Sequence, residues 1–225
     1  MRREFEKQEA CRESAAAFCF LSRHRLATDG QGVTTLVGFH GCPLRCRHCL
    51  NPMSLAEGTF CKKMTPAQLY DEMKIDNLYF LATGGGVTFG GGEPLLHPGF
   101  LREFRALCGP QWRLTAETSL AVRWESVQTV AVDAAFDEFI VDCKDGNPEI
   151  YRRYTGGDAL LMQENLRRLL TILPPEKILL RLPLIPGYNT EEDRARSEAL
   201  FREMGVLRFD RFVYKTDRKI PENDT

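Results

Sequence analysis

Short apolar runs alternate with amphipathic stretches along most of the sequence. The runs have the length and the β-branched or aromatic content of buried strands, and they cover residues 34–41, 86–92, 113–119, 136–144, 177–186 and 209–215. Alternation of strands with helical segments predicts a parallel sheet, which right-handed crossovers curl. We therefore predict an α/β fold of six strand–helix steps, a partial (β/α)6 barrel of the TIM type.

The stretches between these runs carry helix signals. Thr65, Asp158 and Thr190 are suited to act as N-caps, and Pro66 suits a first helical position. Apolar residues at helical spacing, or a short helical pattern, follow in residues 97–109, 124–130 and 158–173. No repeat or long linker separates the steps, so we predict one domain over residues 1–225. Its ends, about 20 residues at the N terminus and about 8 at the C terminus, are expected to be peripheral.

Chemically active residue types follow the carboxyl ends of the predicted strands. In chain order these are a group of cysteines, a Gly-Gly-Glu-Pro turn, Glu117-Thr118, Lys144 and Pro186-Gly187. Active sites of barrel folds gather at this end of the strands. We therefore expect these loops to meet in one site.

The segment GCPLRCRHCLNP brings Cys42, Cys46 and Cys49 close together. A structural zinc ion takes four protein ligands, and a fourth could come from His40, His48 or Cys61. A ferredoxin-type cluster uses a different spacing and a fourth cysteine. Three cysteines on a four-iron cluster would leave one iron open for a substrate or cofactor. We favour this open cluster and keep zinc as the alternative.

Composition narrows the class of protein. The formal net charge is -1 over 225 residues, so the chain has no basic field of the kind that binds nucleic acid. The apolar run at residues 15–21 is too short to span a membrane. Eight cysteines are too few for a disulfide scaffold of this length. We therefore predict a cytoplasmic protein, in which clustered thiols bind metal more often than they form disulfides.

Several motifs together resemble a known family. The spacing CxxxCxxC at residues 42–49 resembles the signature of radical S-adenosylmethionine (SAM) enzymes. The segments DGQG, TGGGVTFGGGEPLLHPGF, FIVDCKDGNPEIYRRYTG and RLPLIPGYN are similar to motifs of glycyl-radical-enzyme activating enzymes. The best-known type in that family is the pyruvate formate-lyase activating enzyme.

The resemblance implies a fold, an activity and partners. It implies the radical SAM fold and an oxidoreductase with one 4Fe-4S cluster on Cys42, Cys46 and Cys49. Such an enzyme cleaves SAM reductively to a 5′-deoxyadenosyl radical, which generates a glycyl radical on a partner glycyl radical enzyme. It also implies a flavodoxin or ferredoxin-type electron donor, and neither nucleic acid nor membrane as a partner.

The resemblance further implies roles for single residues around SAM. Backbone at Gly91 and Gly92 would approach the methionine end, Glu93 would bind its amino group, and Lys144 would bind its carboxylate. The other residues implied in SAM binding are His48 near the adenine, Asp142 and Arg181. The family also implies a monovalent cation at Glu117, Thr118 and Asp142, although relatives usually carry Asp at the first of these positions.

The sequence departs from the family pattern at several positions. Thr34, Leu50 and Gly90 replace the usual Arg, His and Ser, and Lys215 stands where the family has a histidine near SAM. These departures leave two other functions open. One is radical SAM chemistry on another peptide or a small molecule, and the other is a non-enzymatic, zinc-stabilised binding module.

Overall fold

One eight-stranded sheet organises the computed structural model, which describes residues 15–26 and 29–214. The strands run in the order β3-β1-β2-β4-β5-β6-β7-β8. Their bounds are Ala16–Arg25 (β1), Thr34–Phe39 (β2), Lys62–Met64 (β3), Gly86–Gly91 (β4), Arg113–Thr118 (β5), Glu138–Asp142 (β6), Ile178–Leu184 (β7) and Arg208–Val213 (β8). All neighbours from β2 to β8 pair in parallel, whereas β1 is antiparallel to β2 and β3. The carboxyl ends of six strands therefore lie along one edge.

Helices connect the parallel strands and cover the sheet. Their bounds are Pro66–Met73 (α1), Asn77–Thr83 (α2), Pro98–Cys108 (α3), Trp124–Val132 (α4), Pro148–Thr155 (α5), Ala159–Ile172 (α6) and Glu191–Glu203 (α7). The predicted caps are confirmed, because Thr65 accepts from the backbone of Gln68 and Asp158 from that of Leu160. Within the described ranges, no helix is long and apolar enough to cross a membrane.

The predicted α/β fold with a partial barrel is confirmed, and it carries two further strands. The six predicted runs form β2 and β4 to β8, and the sheet does not close within the described residues. Residues 16–20, which fall within the N-terminal stretch expected to be peripheral, lie in β1. Ala16 and Phe18 are buried against the core, because β1 covers the first edge of the parallel sheet.

Aromatic side chains fill the core between the sheet and its helices. Phe104 on α3 is fully buried, and its ring centroid lies 5.2 Å from that of Phe89 on β4 and 6.4 Å from that of Trp112. Such edge-to-face and tilted ring contacts add to the burial of apolar area. The α3 helix is therefore held to the strand that carries the Gly-Gly-Glu-Pro turn.

We expect Phe104→Ala to lower the free energy of unfolding by about 3–5 kcal/mol, because it leaves a cavity between α3 and the sheet. Urea denaturation followed by circular dichroism measures the change. Phe60→Ala is the matched control, since the Phe60 side chain is 89% exposed and its loss should change stability by less than about 0.5 kcal/mol. Equal destabilisation by the two variants would contradict this description of the core.

Candidate functional site

Two loops meet at the carboxyl ends of the adjacent strands β2 and β4. We call residues 41–49 the cysteine loop and residues 91–93 the glycine loop. The backbone N–H of Gly92 donates to the carbonyl of Phe39 (2.9 Å), and that of Glu93 donates to the carbonyl of Gly41 (2.8 Å). These two bonds fix the loops to each other at the point where both strands end.

Gly92 is required by this close approach. A Cβ at position 92 would overlap the carbonyl oxygen of Gly41 and lie 2.7 Å from the carbonyl oxygen of Phe39. Both obstacles are backbone atoms, so no side chain can move aside. Gly91 adopts the left-handed region, with φ of 78°, which glycine enters without steric cost. The expected approach of this backbone to the methionine end of SAM stays a prediction.

The C-terminal end of α5 supports the cysteine loop from its other side. The N–H of Arg45 donates to the carbonyl of Thr155 (2.8 Å), and the N–H of Arg47 donates to that of Tyr154 (3.0 Å). Leu44 is buried and packs on Gly157, where any Cβ would overlap it. The sequence did not predict these contacts between the end of α5 and the cysteine loop. It did single out the YTG turn, at the end of the motif at residues 139–156, as a feature of the family.

The three thiols of the cysteine loop are half-buried and lie within electrostatic range of one another. Burial raises the pKa of Cys42 to about 12, and the neighbouring Glu93 and cysteines add to the shift. Burial also raises the pKa of Cys46 to about 11, although the ammonium of Lys144 opposes it. The Cys42 and Cys46 thiols are therefore protonated at neutral pH in the free protein, and metal binding would have to release their protons.

The residues present fit a four-iron cluster. Among residues 15–26 and 29–214, no three His, Cys, Asp or Glu side chains are arranged as the ligands of one ion. In a four-iron cluster each cysteine binds a different iron, so the thiols need to surround a common volume rather than converge on a point. Soft thiolates are the ligands that iron–sulfur clusters use.

Glu93 is buried and has four hydrogen-bond donors. Its carboxylate accepts from the N–H of Leu95 (3.1 Å), the hydroxyl of Thr118 (2.7 Å), and both the N–H (2.9 Å) and the hydroxyl (2.7 Å) of Ser119. Burial raises the pKa of Glu93, and these bonds oppose the shift. The carboxylate thus ties the glycine loop to the end of β5. Its predicted contact with the SAM amino group stays a prediction and would have to replace one of these donors.

Two ion pairs line the ends of β5, β6 and β7. Lys144 Nζ lies 2.6 Å from a carboxylate oxygen of Asp142, and Arg181 Nη1 lies 2.7 Å from one of Glu117. Burial alone would raise the pKa of Asp142, but Lys144 and Arg181 outweigh it and lower the pKa. Burial would likewise lower the pKa of Lys144, but Asp142 outweighs it and raises the pKa. Two carboxylates and two cations therefore form two ion pairs, of which Asp142 and Lys144 lie within electrostatic range of Cys46.

This pairing does not fit the monovalent cation that the resemblance implied. Each of the two carboxylates in the expected site already has a cationic side chain as its partner. The hydroxyl of Thr118 donates to Glu93 and accepts from the N–H of Leu120 (2.9 Å). A monovalent cation at Glu117, Thr118 and Asp142 would displace contacts that the protein already makes.

His48 lies in an aromatic group that the sequence did not indicate. Its ring centroid is 6.2 Å from that of Tyr154 and 5.9 Å from that of Tyr188, and Tyr214 packs on Tyr154 from the end of β8. The predicted contact of His48 with adenine stays a prediction. Within this group Tyr154 and Tyr214 are buried, whereas His48 and Tyr188 are partly exposed. Lys215, the suggested substitute for the family histidine, lies outside the described residues.

Comparison with known proteins agrees with this geometry. The sequence model of the radical SAM superfamily matches residues 36–198. The pyruvate formate-lyase-activating enzyme of Clostridium pasteurianum is 31% identical, over 76% of this chain and 70% of that protein. The (2S)-3-sulfopropanediol dehydratase activating enzyme of Klebsiella oxytoca is 32% identical, over 77% of this chain and 73% of that protein.

Solved structures support the fold. The crystal structure of Streptococcus suis SuiB bound to S-adenosylmethionine superposes with a TM-score of 0.60 at 12% identity. The match covers 80% of this chain and 42% of the SuiB chain. From the family model, the two activating-enzyme relatives and the shared fold, the chain belongs to the radical SAM superfamily and, within it, to the activating enzymes of glycyl radical enzymes.

Proposed function

We propose that this chain holds one 4Fe-4S cluster on Cys42, Cys46 and Cys49, binds SAM beside it, and generates a glycyl radical on a partner glycyl radical enzyme. One observation carries the proposal. Backbone hydrogen bonds join the cysteine loop to the glycine loop, and Lys144, just after β6, lies within electrostatic range of Cys46. A site with these components is what reductive cleavage of SAM at an open iron would require.

The proposed roles of the protein side chains follow from their positions. The three thiolates would hold the cluster, which when bound supplies one electron to SAM and so releases a 5′-deoxyadenosyl radical. Lys144 is 7% exposed, lies within electrostatic range of Cys46 and pairs with Asp142 in the free protein. In the proposed complex its ammonium would donate to the SAM carboxylate as a charge-assisted partner. Arg181 would neutralise the charge of its ion-pair partner Glu117. His48 and its aromatic neighbours would take the adenine.

The open sheet supports a protein substrate. β3 and β8 are the two outer strands in the described part of the chain, and they do not pair with each other. An extended peptide could therefore reach the carboxyl ends of the strands from the side. With a net charge of -1, long-range steering is weak, so recognition would rest on shape and backbone contacts. We propose a flavodoxin or ferredoxin-type protein as the electron donor.

Isotope transfer tests the proposed reaction. The reconstituted protein, SAM, a reductant and a candidate glycyl radical enzyme are combined without oxygen, with deuterium on the glycine α-carbon of the candidate. We expect deuterium in the 5′-deoxyadenosine and a glycyl radical signal in electron paramagnetic resonance. SAM cleavage without deuterium transfer from any intact candidate or glycine peptide would reject the activase function. It would favour another peptide or a small molecule as substrate.

Lys144→Met is expected to weaken SAM binding by about 1.5–3 kcal/mol, or about 10- to 100-fold in Kd, because the variant loses a charge-assisted partner of the SAM carboxylate. Isothermal titration of the anaerobic, reconstituted protein measures the affinity. Lys74→Met is the matched control, since the Lys74 side chain is 54% exposed and pairs with the exposed Asp71. An unchanged affinity in the Lys144 variant, with its iron content intact, would contradict the assignment.

A further inference from the structure

We propose that Cys19 and Cys61 form a redox-active dithiol site, separate from the cysteine loop, which small disulfides oxidise to an intramolecular disulfide. The two Sγ atoms are 3.2 Å apart. Cys19 lies on β1, and Cys61 immediately precedes β3. The 4Fe-4S cluster proposed for the cysteine loop uses neither thiol.

The strand register places the two residues opposite each other. β1 and β3 are antiparallel, with Ala17 opposite Lys63 and Phe18 opposite Lys62. One further step along the same register brings Cys19 opposite Cys61. Residues directly opposite in an antiparallel pair have Cα atoms about 4.5–5.5 Å apart, which lies within the range that a disulfide bridges. The bond can therefore form without moving either strand far.

The pair is accessible, unlike the other described cysteines outside the cysteine loop. Cys19 and Cys61 are half-buried, whereas Cys108 and Cys143 are buried. Burial and the neighbouring Cys61 thiol raise the pKa of Cys19 to about 12. Cys19 is therefore a weak nucleophile near neutral pH. The pair should stay reduced in the absence of an oxidant and react slowly with one.

Oxidation at this site would act close to the cysteine loop. The Cys19 thiol also donates weakly to the carbonyl of Met53 (3.7 Å), and the neighbouring Ser54 carbonyl accepts from the N–H of Gly41 (2.8 Å). Residues 50–61 follow the cysteine loop and end at Cys61. A disulfide between Cys19 and Cys61 would tie the end of this segment covalently to β1. It would do so without consuming a thiol of Cys42, Cys46 or Cys49.

The chemistry is a two-step thiol–disulfide exchange. One protein thiolate attacks a small disulfide such as oxidised glutathione, which forms a mixed disulfide and expels one glutathione thiolate. The second protein thiolate then attacks the protein sulfur of the mixed disulfide and expels the other glutathione. The two protein thiols lose two electrons and two protons, and the small disulfide becomes two molecules of glutathione.

Anaerobic titration of the reconstituted holoenzyme with oxidised glutathione tests the proposal. After alkylation of free thiols, mass spectrometry of a non-reducing digest should show a Cys19–Cys61 cross-link and the loss of two alkylated thiols per chain. Dithiothreitol should restore both thiols, and iron content should not change. In Cys19→Ser or Cys61→Ser the cross-link should be absent, and the remaining cysteine should carry a stable glutathione. Cys108→Ser is the matched control and should keep the cross-link.

Three results would overturn the proposal. The first is separate glutathione adducts on Cys19 and Cys61 in the unmodified sequence, which would show that the thiols do not react with each other. The second is a cross-link that contains any other cysteine in their place. The third is the retention of all free thiols at an excess of oxidised glutathione that cross-links a control dithiol peptide.

Discussion

Cys46→Ala is expected to abolish cluster assembly and SAM cleavage, the largest effect that we predict for a single substitution. Cys46 is the central thiol of the cysteine loop, and it lies within electrostatic range of Cys49, Lys144 and Asp142. A four-iron cluster left with two protein thiolates loses one of its three anchors. We expect iron to fall from about four to less than about one per chain. Formation of 5′-deoxyadenosine should fall to the level without enzyme.

Iron and sulfide analysis after anaerobic reconstitution measures this effect. Cys108→Ala is the matched control, because Cys108 lies on α3 outside the site. This substitution should leave the iron and sulfide content unchanged. Stoichiometric zinc without sulfide in the unmodified protein would reject the cluster. It would revive the zinc-stabilised binding module that the sequence left open.

Gly92→Ala is expected to separate the cysteine loop from the glycine loop. The new Cβ would overlap the carbonyl oxygen of Gly41, and the carbonyl of Phe39 blocks it as well. Relief of that overlap requires the loss of one or both backbone hydrogen bonds between the loops. We expect about 1–3 kcal/mol of destabilisation from overpacking. SAM cleavage should fall by about tenfold for each 1.4 kcal/mol by which the assembled site is disfavoured.

Gly99→Ala provides a matched control for the glycine substitution. Gly99 lies in the first turn of α3, and a Cβ there would meet nothing within 4 Å. The same chemical change should therefore be neutral, or stabilise α3 by up to about 1 kcal/mol. Thermal unfolding of the metal-free proteins separates stability from site assembly, and SAM cleavage is then measured on reconstituted samples. Equal activity of the two variants would contradict the required contact at Gly92.

The sequence by itself determined the parallel strands, the main helix starts and the position of the cysteine loop. These features are local, because strand runs, caps at Thr65 and Asp158, and the spacing of the cysteines are each encoded within a few residues. The sequence did not indicate β1 and β3. β1 pairs with irregular register, so its burial does not alternate cleanly. β3 is three residues long and exposes both of its lysines.

Only the tertiary structure decided which side chains of the candidate site are partners. Glu93 bonds to Thr118 and Ser119, and Arg181 pairs with Glu117 across 64 residues of sequence. The sequence placed Glu93, Glu117 and Thr118 near strand ends, but it could not order the strands in the sheet or say which carboxylate each cation neutralises. Those pairings depend on strand order and register, which long-range packing sets. For the same physical reason, the sequence could not show that Asp142 and Glu117, two residues of the implied cation site, pair with Lys144 and Arg181.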